Sequence, residues 1–414
     1  MQFHLTIPAR INILGNPSDA NEGDFATISA AVDVYAGALV EPAEGLVLEI
    51  APRTSLGPRL QDLPSAITAA GIISGNDLEP SQRLEFPRPT LLLPYTGQLD
   101  LLKGAVNRLY QFSPEFRHKF DQDIARQAGV RIATWSEVPR QSGLGGSSLF
   151  VILVLAALRQ FYQLDPRIHN DYALAELTQR VEAKELGIAC GFADRYVPIF
   201  GGIAYLDYRG KLHHHDIYQE PYVTYERLDP WVNDLPIVAI TTGIEHDSGD
   251  VHGRMRPRYI EEHNTWAGCG GSLPPMLRLM QGAWETAWRG KIALLHDDLE
   301  TFGELMNHNH HLVDEMMTYC GFTDGAGWAN NLFIRVALES CALGAKLTGA
   351  GGGGSVFAIT LPGQEQTLIE AWQQAAEQHG LCKARVFQPR ICPTGLVVQP
   401  LNQPASSLSN RSTL

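Results

Sequence analysis

The sequence predicts a two-domain α+β protein. Three observations carry that expectation. A chain of 414 residues, 44% of them apolar, exceeds one small domain and suffices for two ordinary ones. Its first two hundred residues interleave short strands with helices, and the stretch from Ile237 onward does so again in a compact α+β pattern. Between them, Tyr222–Asp234 turns polar and proline-containing, which puts the expected domains at 1–222 and 223–403. The Ser/Asn-rich residues 404–414 are expected to form a disordered tail.

In chain order, alternation and turn punctuation predict strands at Phe3–Ile7, Asp33–Val40 and Leu46–Ala51. Pro52–Leu93 is rich in Pro, Gly and Ser, shows little sustained period, and reads as an insertion or long loop. Helical spacing follows at Leu99–Phe112, a strand at Val130–Trp135, an apolar helix running to Tyr162, and an amphipathic helix at Ala173–Leu186. Gly202–Tyr208 and Lys211–Ile217 flank Arg209-Gly210 as a hairpin. In the second unit Ile237–Thr241, Ser355–Thr360 and Ala384–Gln388 read as strands. Leu277–Trp288, Asp298–Met317, Trp328–Leu343 and Gln364–His379 read as helices.

Composition removes several function classes. With 45 acids against 32 bases the net charge is −13, which argues against a general nucleic-acid or anionic-membrane binder while allowing a local basic pocket. The longest apolar run, Leu149–Leu158, is about half a bilayer span. Met-Gln-Phe-His-Leu-Thr-Ile lacks the basic stretch and apolar core of a signal peptide. Cys190, Cys269, Cys320, Cys341, Cys382 and Cys392 show no C-x-x-C spacing, so neither a disulfide framework nor a zinc ribbon is indicated. The chain reads as soluble and cytoplasmic.

Glycine, 39 residues, is concentrated in two loops. Pro139-Arg-Gln-Ser-Gly-Leu-Gly-Gly-Ser-Ser148 lies between a strand and the apolar helix. Its glycines let a ligand approach the backbone, and the helix N-terminus offers unpaired N–H groups and a positive dipole end. Ser147 and Ser148 add two hydroxyls suited to phosphate oxygens or Mg²⁺; the alternative is a glycine-rich turn with serine as an ordinary cap. No G-x-x-x-x-G-K-[ST] loop occurs. In Gly344–Ser355, Gly349, Gly351 and Gly354 have G-x-G-x-x-G spacing. The expected order of helix before and strand after is the reverse of a dinucleotide fold. Apolar elements close in on both sides, so something must approach this backbone.

Three acids stand near one another in sequence. Glu182 and Glu185 share a face if the segment is helical, and Asp194 lies beyond Gly191 among apolar neighbours. A hard-cation ligand plus a separate carboxylate base is one reason for such a set; a solvated face and a structural cap is the other. The N-terminal loop Pro8–Asp19 groups Arg10, Asn12, Asn16, Ser18 and Asp19, which suits a phosphoryl group and a hydroxyl-rich ligand, or an Asx-type turn. His213–His215 and His308, His310 and His311 read as surface or core packing rather than metal ligands, because neighbours on a strand point to opposite faces.

Together these segments resemble the GHMP kinase family, which includes galactokinase, homoserine kinase, mevalonate kinase and phosphomevalonate kinase. Pro8–Asp19 resembles its first motif, Pro139–Ser148 its P-x-x-x-G-L-G-S-S-A signature, and Gly344–Gly354 its G-A-K-x-T-G-A-G-x-G-G signature. Within the family, Leu14–Asp19, Pro139–Gly143, Ala183–Ile188, Asp247–His252 and Met255–Tyr259 resemble the glucuronokinase subgroup.

The resemblance implies a ribosomal-S5-domain-2-like N-terminal domain, a ferredoxin-like C-terminal domain and an active site between them. It implies an ATP- and Mg²⁺-dependent sugar kinase, with the anomeric hydroxyl of glucuronate as acceptor and glucuronate 1-phosphate as product. A galactose, heptose phosphate or mevalonate-type acceptor, or an inactive nucleotide- or sugar-sensing homologue, are the alternatives. The partners expected are a nucleotide and a small sugar or uronic acid, for a monomer or homodimer without nucleic-acid or membrane contacts. By position, Asp194 is the implied base, and Arg10 is implied to polarise the acceptor hydroxyl or to stabilise charge on the moving phosphoryl group. Pro139, Gln141, Ser142, Gly143, Leu144, Gly145, Gly146, Ser147 and Ser148 are implied to bind ATP, and Ser147 and Glu182 to hold Mg²⁺. Asn16, Ser18, Asp19, Gly349, Gly351 and Gly352 are implied on the substrate. A uronate carboxylate needs a cation, for which Arg195, Arg256 and Arg258 are the candidates; the alternative for the last two is a basic surface loop.

Overall fold

The structure, a computed structural model, describes residues 2–20, 25–56, 64–72, 81–87, 92–208, 223–232, 234–244 and 248–401. In chain order the elements are β1 (Phe3–Leu14), β2 (Ala26–Ala43), β3 (Leu46–Ile50), α1 (Ala66–Ala69), β4 (Gln82–Phe86), α2 (Asp100–Phe112), α3 (Pro114–Ala125) and β5 (Gly129–Ser136). Next come α4 (Gly146–Phe161), α5 (Asp171–Arg180), α6 (Tyr196–Phe200), β6 (Ile203–Asp207), β7 (Thr224–Arg227) and β8 (Ile237–Thr241). The rest are α7 (Ser248–Cys269), α8 (Pro275–Leu295), α9 (Leu299–Tyr319), α10 (Trp328–Ser340), β9 (Ala342–Thr348), β10 (Ser355–Thr360), α11 (Glu365–Gln378), β11 (Arg385–Phe387) and β12 (Val397–Pro400).

Among the described residues the first sheet has eight strands, ordered β12-β1-β2-β5-β3-β4, with β6 beside β2 and β7 beyond it. Strand β2 is 18 residues long, so one edge pairs with β1 while the other serves β6 over Ala26–Ala30 and β5 over Ala36–Ala43. Helix α4 packs on this sheet with α2 and α5 over it. Its residues Leu149 and Val151–Leu158 are all buried, which is why the sequence there is apolar on every face.

The second sheet is antiparallel, β11-β8-β10-β9, and its elements follow the β-α-β-β-α-β order of a ferredoxin-like unit, with α7, α8 and α9 added before α10. Alternation splits its strands cleanly. Val238, Ile240, Val356 and Ala358 pack under α10 and α11 with Phe333 and Trp372, while Ile237, Ala239, Phe357 and Ile359 join the core of the first sheet. Helices α8 and α9 pack on each other; α8 lies against β1 and β2, and α9 against β9. The two sheets therefore share one continuous core.

The expected α+β, two-domain architecture is present, with differences in detail. Thr224–Arg227 and Val397–Pro400 belong to the first sheet, so the chain returns to that sheet after completing the second. Pro52–Leu93 is not all loop: Gln82–Phe86 pairs with β3 at the sheet edge. The basic Arg256–Arg258 segment is helix, with Pro257 inside α7. The proline masks a buried stripe, Val251, Met255 and Tyr259, at four-residue spacing. The second glycine loop follows a strand, β9, rather than a helix; a strand also follows it, so it is a hairpin and still not a dinucleotide loop. The second hairpin strand expected at Lys211–Ile217, His213–His215 and the tail 404–414 lie outside the described residues. Among the described residues no helix is long and apolar enough to cross a membrane.

Trp372 tests the second core. It is fully buried, donates its indole N–H to Phe333 O (2.8 Å) and meets the Phe333 ring edge-on. Trp372→Ala should cost about 3–5 kcal/mol in denaturant unfolding, typical of deleting a large core aromatic. A loss under 1 kcal/mol would mean that α11 is not held by this contact.

Candidate active site

A cleft of about 620 Å³ opens where both glycine loops, β1 and the end of α5 converge. The two loops touch backbone to backbone. A Cβ on Gly143 (φ +73°) would sit 2.4 Å from Thr348 O, and one on Gly349 (φ +86°) 2.8 Å from the Gly143 Cα. The partner that the second loop had to admit is thus the first loop. Thr348 fastens the junction, its hydroxyl accepting the Asn12 N–H (3.0 Å) and donating to Gly143 O (3.4 Å).

Asp194 stands in this cleft with part of its side chain open. Arg10 binds it with both arms, Nε to Oδ1 (2.9 Å) and Nη2 to Oδ2 (2.6 Å), and donates Nη1–H to Gly143 O. Asn12 Nδ2 adds a bond to Oδ1 (2.9 Å) and is itself oriented by Ser29 Oγ (2.8 Å). Burial would raise the Asp194 carboxyl, but the guanidinium of Arg10 and then that of Arg195 outweigh it and hold it well below the usual range. It is ionised at neutral pH. Asp19, fully enclosed, is pushed up by burial and by the Asp194 charge; its Oδ2 accepts N–H groups from Phe192 (3.0 Å) and Ala193 (2.9 Å), so it caps the turn that carries Asp194.

Glu182 and Glu185 do not share a face. Val181–Glu185 is a π-helical turn, which rotates them apart. Glu185 meets Tyr95 OH (3.0 Å) and Arg108 (3.4 Å), whereas Glu182 lines the cleft, pairs with Arg195 and accepts Ser148 Oγ–H (3.0 Å). Arg195 also donates to Gly191 O. Burial opposes its charge, but Glu182 overcomes this and raises its pKa.

Of the other expected residues, Arg10, Asn16, Asp19, Pro139, Gln141, Ser142, Gly143, Gly145–Ser148, Arg195, Gly349 and Gly351 line the cleft. Ser142 is nearly enclosed there, and its hydroxyl has no partner. Leu144 lies buried behind the loop, its carbonyl accepting the Arg10 N–H (3.3 Å). Ser18 is buried beside Asp19, and Gly352 is tied to Ala326 O (2.8 Å). Arg256 and Arg258 are not part of the cleft wall; Arg258 stacks on Tyr319 (4.6 Å) and approaches Glu262 (3.4 Å). From the same helix, His252 lines the cleft instead. His308 and His311 are exposed while His310 bonds Asn331 Oδ1 (3.0 Å), so these three do not converge.

Sequence reasoning missed a clamp behind the Gly15–Asp19 loop. Asn309 on α9 accepts the Gly15 N–H (3.0 Å) and donates to Asn16 O (3.2 Å). Lys346, fully buried on β9, donates to Asn16 Oδ1 (2.7 Å) and Leu347 O (3.0 Å), and Asn16 Nδ2 donates to Gly349 O (3.2 Å). Lys346 and Thr348 alternate along a strand, a signal hidden by reading Gly344–Ser355 as one loop.

Residues 100–202 match the GHMP kinases N terminal domain, and residues 291–378 match GHMP kinases C terminal. Glucuronokinase 1 of Arabidopsis thaliana is 28% identical over 89% of this chain and 88% of its own. The chain thus carries the N-terminal and C-terminal domains of GHMP kinases. It is therefore a phosphotransferase with an alcohol group as acceptor. The galactokinase of Thermococcus kodakarensis is 27% identical over 74% of this kinase and 85% of its own chain. Among solved structures, the galactokinase of Lactococcus lactis complexed with galactose shares the fold, with a TM-score of 0.70 at 18% identity over 96% of this kinase and 95% of that chain.

The donor set of this kinase fits Mg²⁺. All the bonds that Glu182 makes to Ser148 and Arg195 fall on Oε2, and Ser147, exposed in the cleft, stands two residues into the N-terminus of α4. One carboxylate oxygen and one hydroxyl, completed by phosphates and water, is a common magnesium environment. Ser148 donates its hydroxyl hydrogen to Glu182 and so orients that carboxylate.

Two outcomes follow from these burials. Glu182→Gln removes the counter-charge of an enclosed guanidinium and should cost about 3 kcal/mol of stability, read by denaturant unfolding without Mg²⁺ or nucleotide. An unchanged midpoint would mean that Arg195 finds another anion. Burial lowers Lys346 to about 7, against about 10.4 in the unfolded chain. Between those values the unfolded state holds the extra proton, so stability rises with pH across that window. The rise should be larger in the wild type than in Lys346→Met; parallel pH profiles would contradict it.

Proposed function

We propose that the protein transfers the γ-phosphoryl group of ATP to a sugar hydroxyl, with the anomeric hydroxyl of glucuronate as the preferred acceptor. The observation that carries the kinase chemistry is Asp194, ionised, gripped by Arg10 and Asn12, and facing the N-terminus of α4 across the same cleft. Phosphoryl transfer depends mainly on positioning and electrostatics, so this set suffices. The loop 139–148 would wrap the nucleotide phosphates, with backbone N–H groups at the start of α4 as donors. When bound at Ser147 and Glu182, Mg²⁺ would neutralise charge on those phosphates.

Asp194 would accept the hydrogen bond of the acceptor hydroxyl and, late in transfer, its proton. Arg10 touches both the base and the phosphate loop, so its charge lies where negative charge builds on the moving group. Asn16 retains one N–H for the sugar, since its oxygen and its other donor are engaged. The likeness to a glucuronokinase across most of the chain supports glucuronate. Arg195 is the expected carboxylate partner that lines the cleft, although Glu182 already holds it. The galactokinase likeness supports galactose as the second reading.

A panel of glucuronate, galactose, a heptose phosphate and mevalonate with ATP, read by ADP release and phosphorus NMR, decides the acceptor. The expected product is glucuronate 1-phosphate; galactose 1-phosphate alone would leave only the broader reading. Asp194→Asn should lower kcat by roughly 10²–10⁴-fold while ATP binding is retained. Wild-type turnover in that variant would remove Asp194 from the mechanism.

A further inference from the structure

We propose that Lys346 is a positioning residue for the acceptor, its buried amino group fixing Asn16 and, through it, the Gly15–Asp19 loop against the second glycine loop. Every bond it makes ends on an uncharged oxygen: Asn16 Oδ1 at 2.7 Å, Leu347 O at 3.0 Å and Asn12 O at 3.4 Å. Among the described residues no carboxylate pairs with it, in contrast to Arg10 and Arg195. From β10 the Phe357 ring faces it at 5.8 Å, and from α9 the facing titratable group is His310. Burial, and then the Lys346 charge, push that imidazole down to about 4, so it stays neutral.

Burying an ammonium without an anion is costly, and an apolar side chain would fill this space at less expense. Where it is protonated, below about 7, the side chain supplies a charge-assisted bond to the Asn16 carbonyl, stronger than a neutral amide would give. That bond sets which way the Asn16 amide faces, with Nδ2 toward Gly349 O. The loop continues through its own turn, Ser18 N–H to Gly15 O (3.0 Å) and Ala20 N–H to Pro17 O (3.0 Å), to Asp19. Asp19 in turn caps the turn that bears Asp194. Lys346 therefore stands at the far end of a hydrogen-bonded line that ends at the base, yet it does not itself line the cleft.

The kinetic arm of the test rests on the kinase reading; the exchange arm does not. In Lys346→Met, amide exchange at Ser18 and Ala20 should quicken by roughly ten- to hundredfold, while amides of β10 and α4 keep their rates. With the sugar that the wild type turns over, KM for that sugar should rise by a similar factor and KM for ATP should not change. Adding Lys346→Met to Asn16→Ala should then change the sugar KM little further. Lys346→Gln, which keeps a polar donor, should fall between the two and serves in place of the methionine variant if that one does not fold. Unchanged exchange at Ser18 and Ala20 in a folded variant, or equal rises in both KM values, would overturn the proposal. If the wild type phosphorylates no sugar, the kinase reading fails, and the exchange rates still decide the role of Lys346.

Discussion

Two backbones meet at the centre of this protein where no side chain fits. Gly143 and Gly349 come from loops on different sheets; a Cβ on Gly349 would strike Gly143, and one on Gly143 would strike the neighbouring Thr348 carbonyl. The rest of the site is arranged around that contact. Thr348 bonds both Asn12 and Gly143 O across this contact, and Arg10 bridges Asp194 to Gly143 O beside it. A loop held this closely on both sides is already ordered before ligand arrives, so less binding energy goes into ordering it.

The charges are as constrained as the backbone. Three acids and three arginines share the cleft wall, and two of the arginines are each paired with one acid: Arg10 with Asp194, Arg195 with Glu182. Asp19 is left to backbone N–H groups and is pushed up, while Asp194 is held down. Neighbouring carboxylates with opposite shifts are a mark of sites where one acid works and the other supports it. Mildly acidic overall composition is no obstacle, because the cations that matter are local and enclosed.

Much of this was legible in the residues. Glycine clusters, a serine pair at a helix start, and Arg10 and Asp194 among apolar neighbours all pointed to the cleft in which the structure unites them. What stayed hidden depended on three-dimensional pairing. The partnership of Glu182 with Arg195 needs a π-helical turn that spacing rules read as ordinary helix. Helix α7 was concealed by Pro257, although its stripe of Val251, Met255 and Tyr259 was visible in principle. Lys346 looked like one more residue of a glycine loop. Only the register of β9 against β10, Lys346 opposite Phe357, turns it inward.

Strand β12 carries a consequence for how the molecule assembles. Val397–Pro400 closes the outer edge of β1, pairing with Phe3–Thr6, although nearly four hundred residues separate them. During synthesis β1 emerges before the other strands, yet its neighbour on that side emerges only after the whole second sheet. Until then β1 presents a row of unpaired N–H and C=O groups, the kind of edge to which foreign strands add. The last pairing of the first sheet is thus also the step that withdraws this edge, and it ties completion of one domain to prior translation of the other.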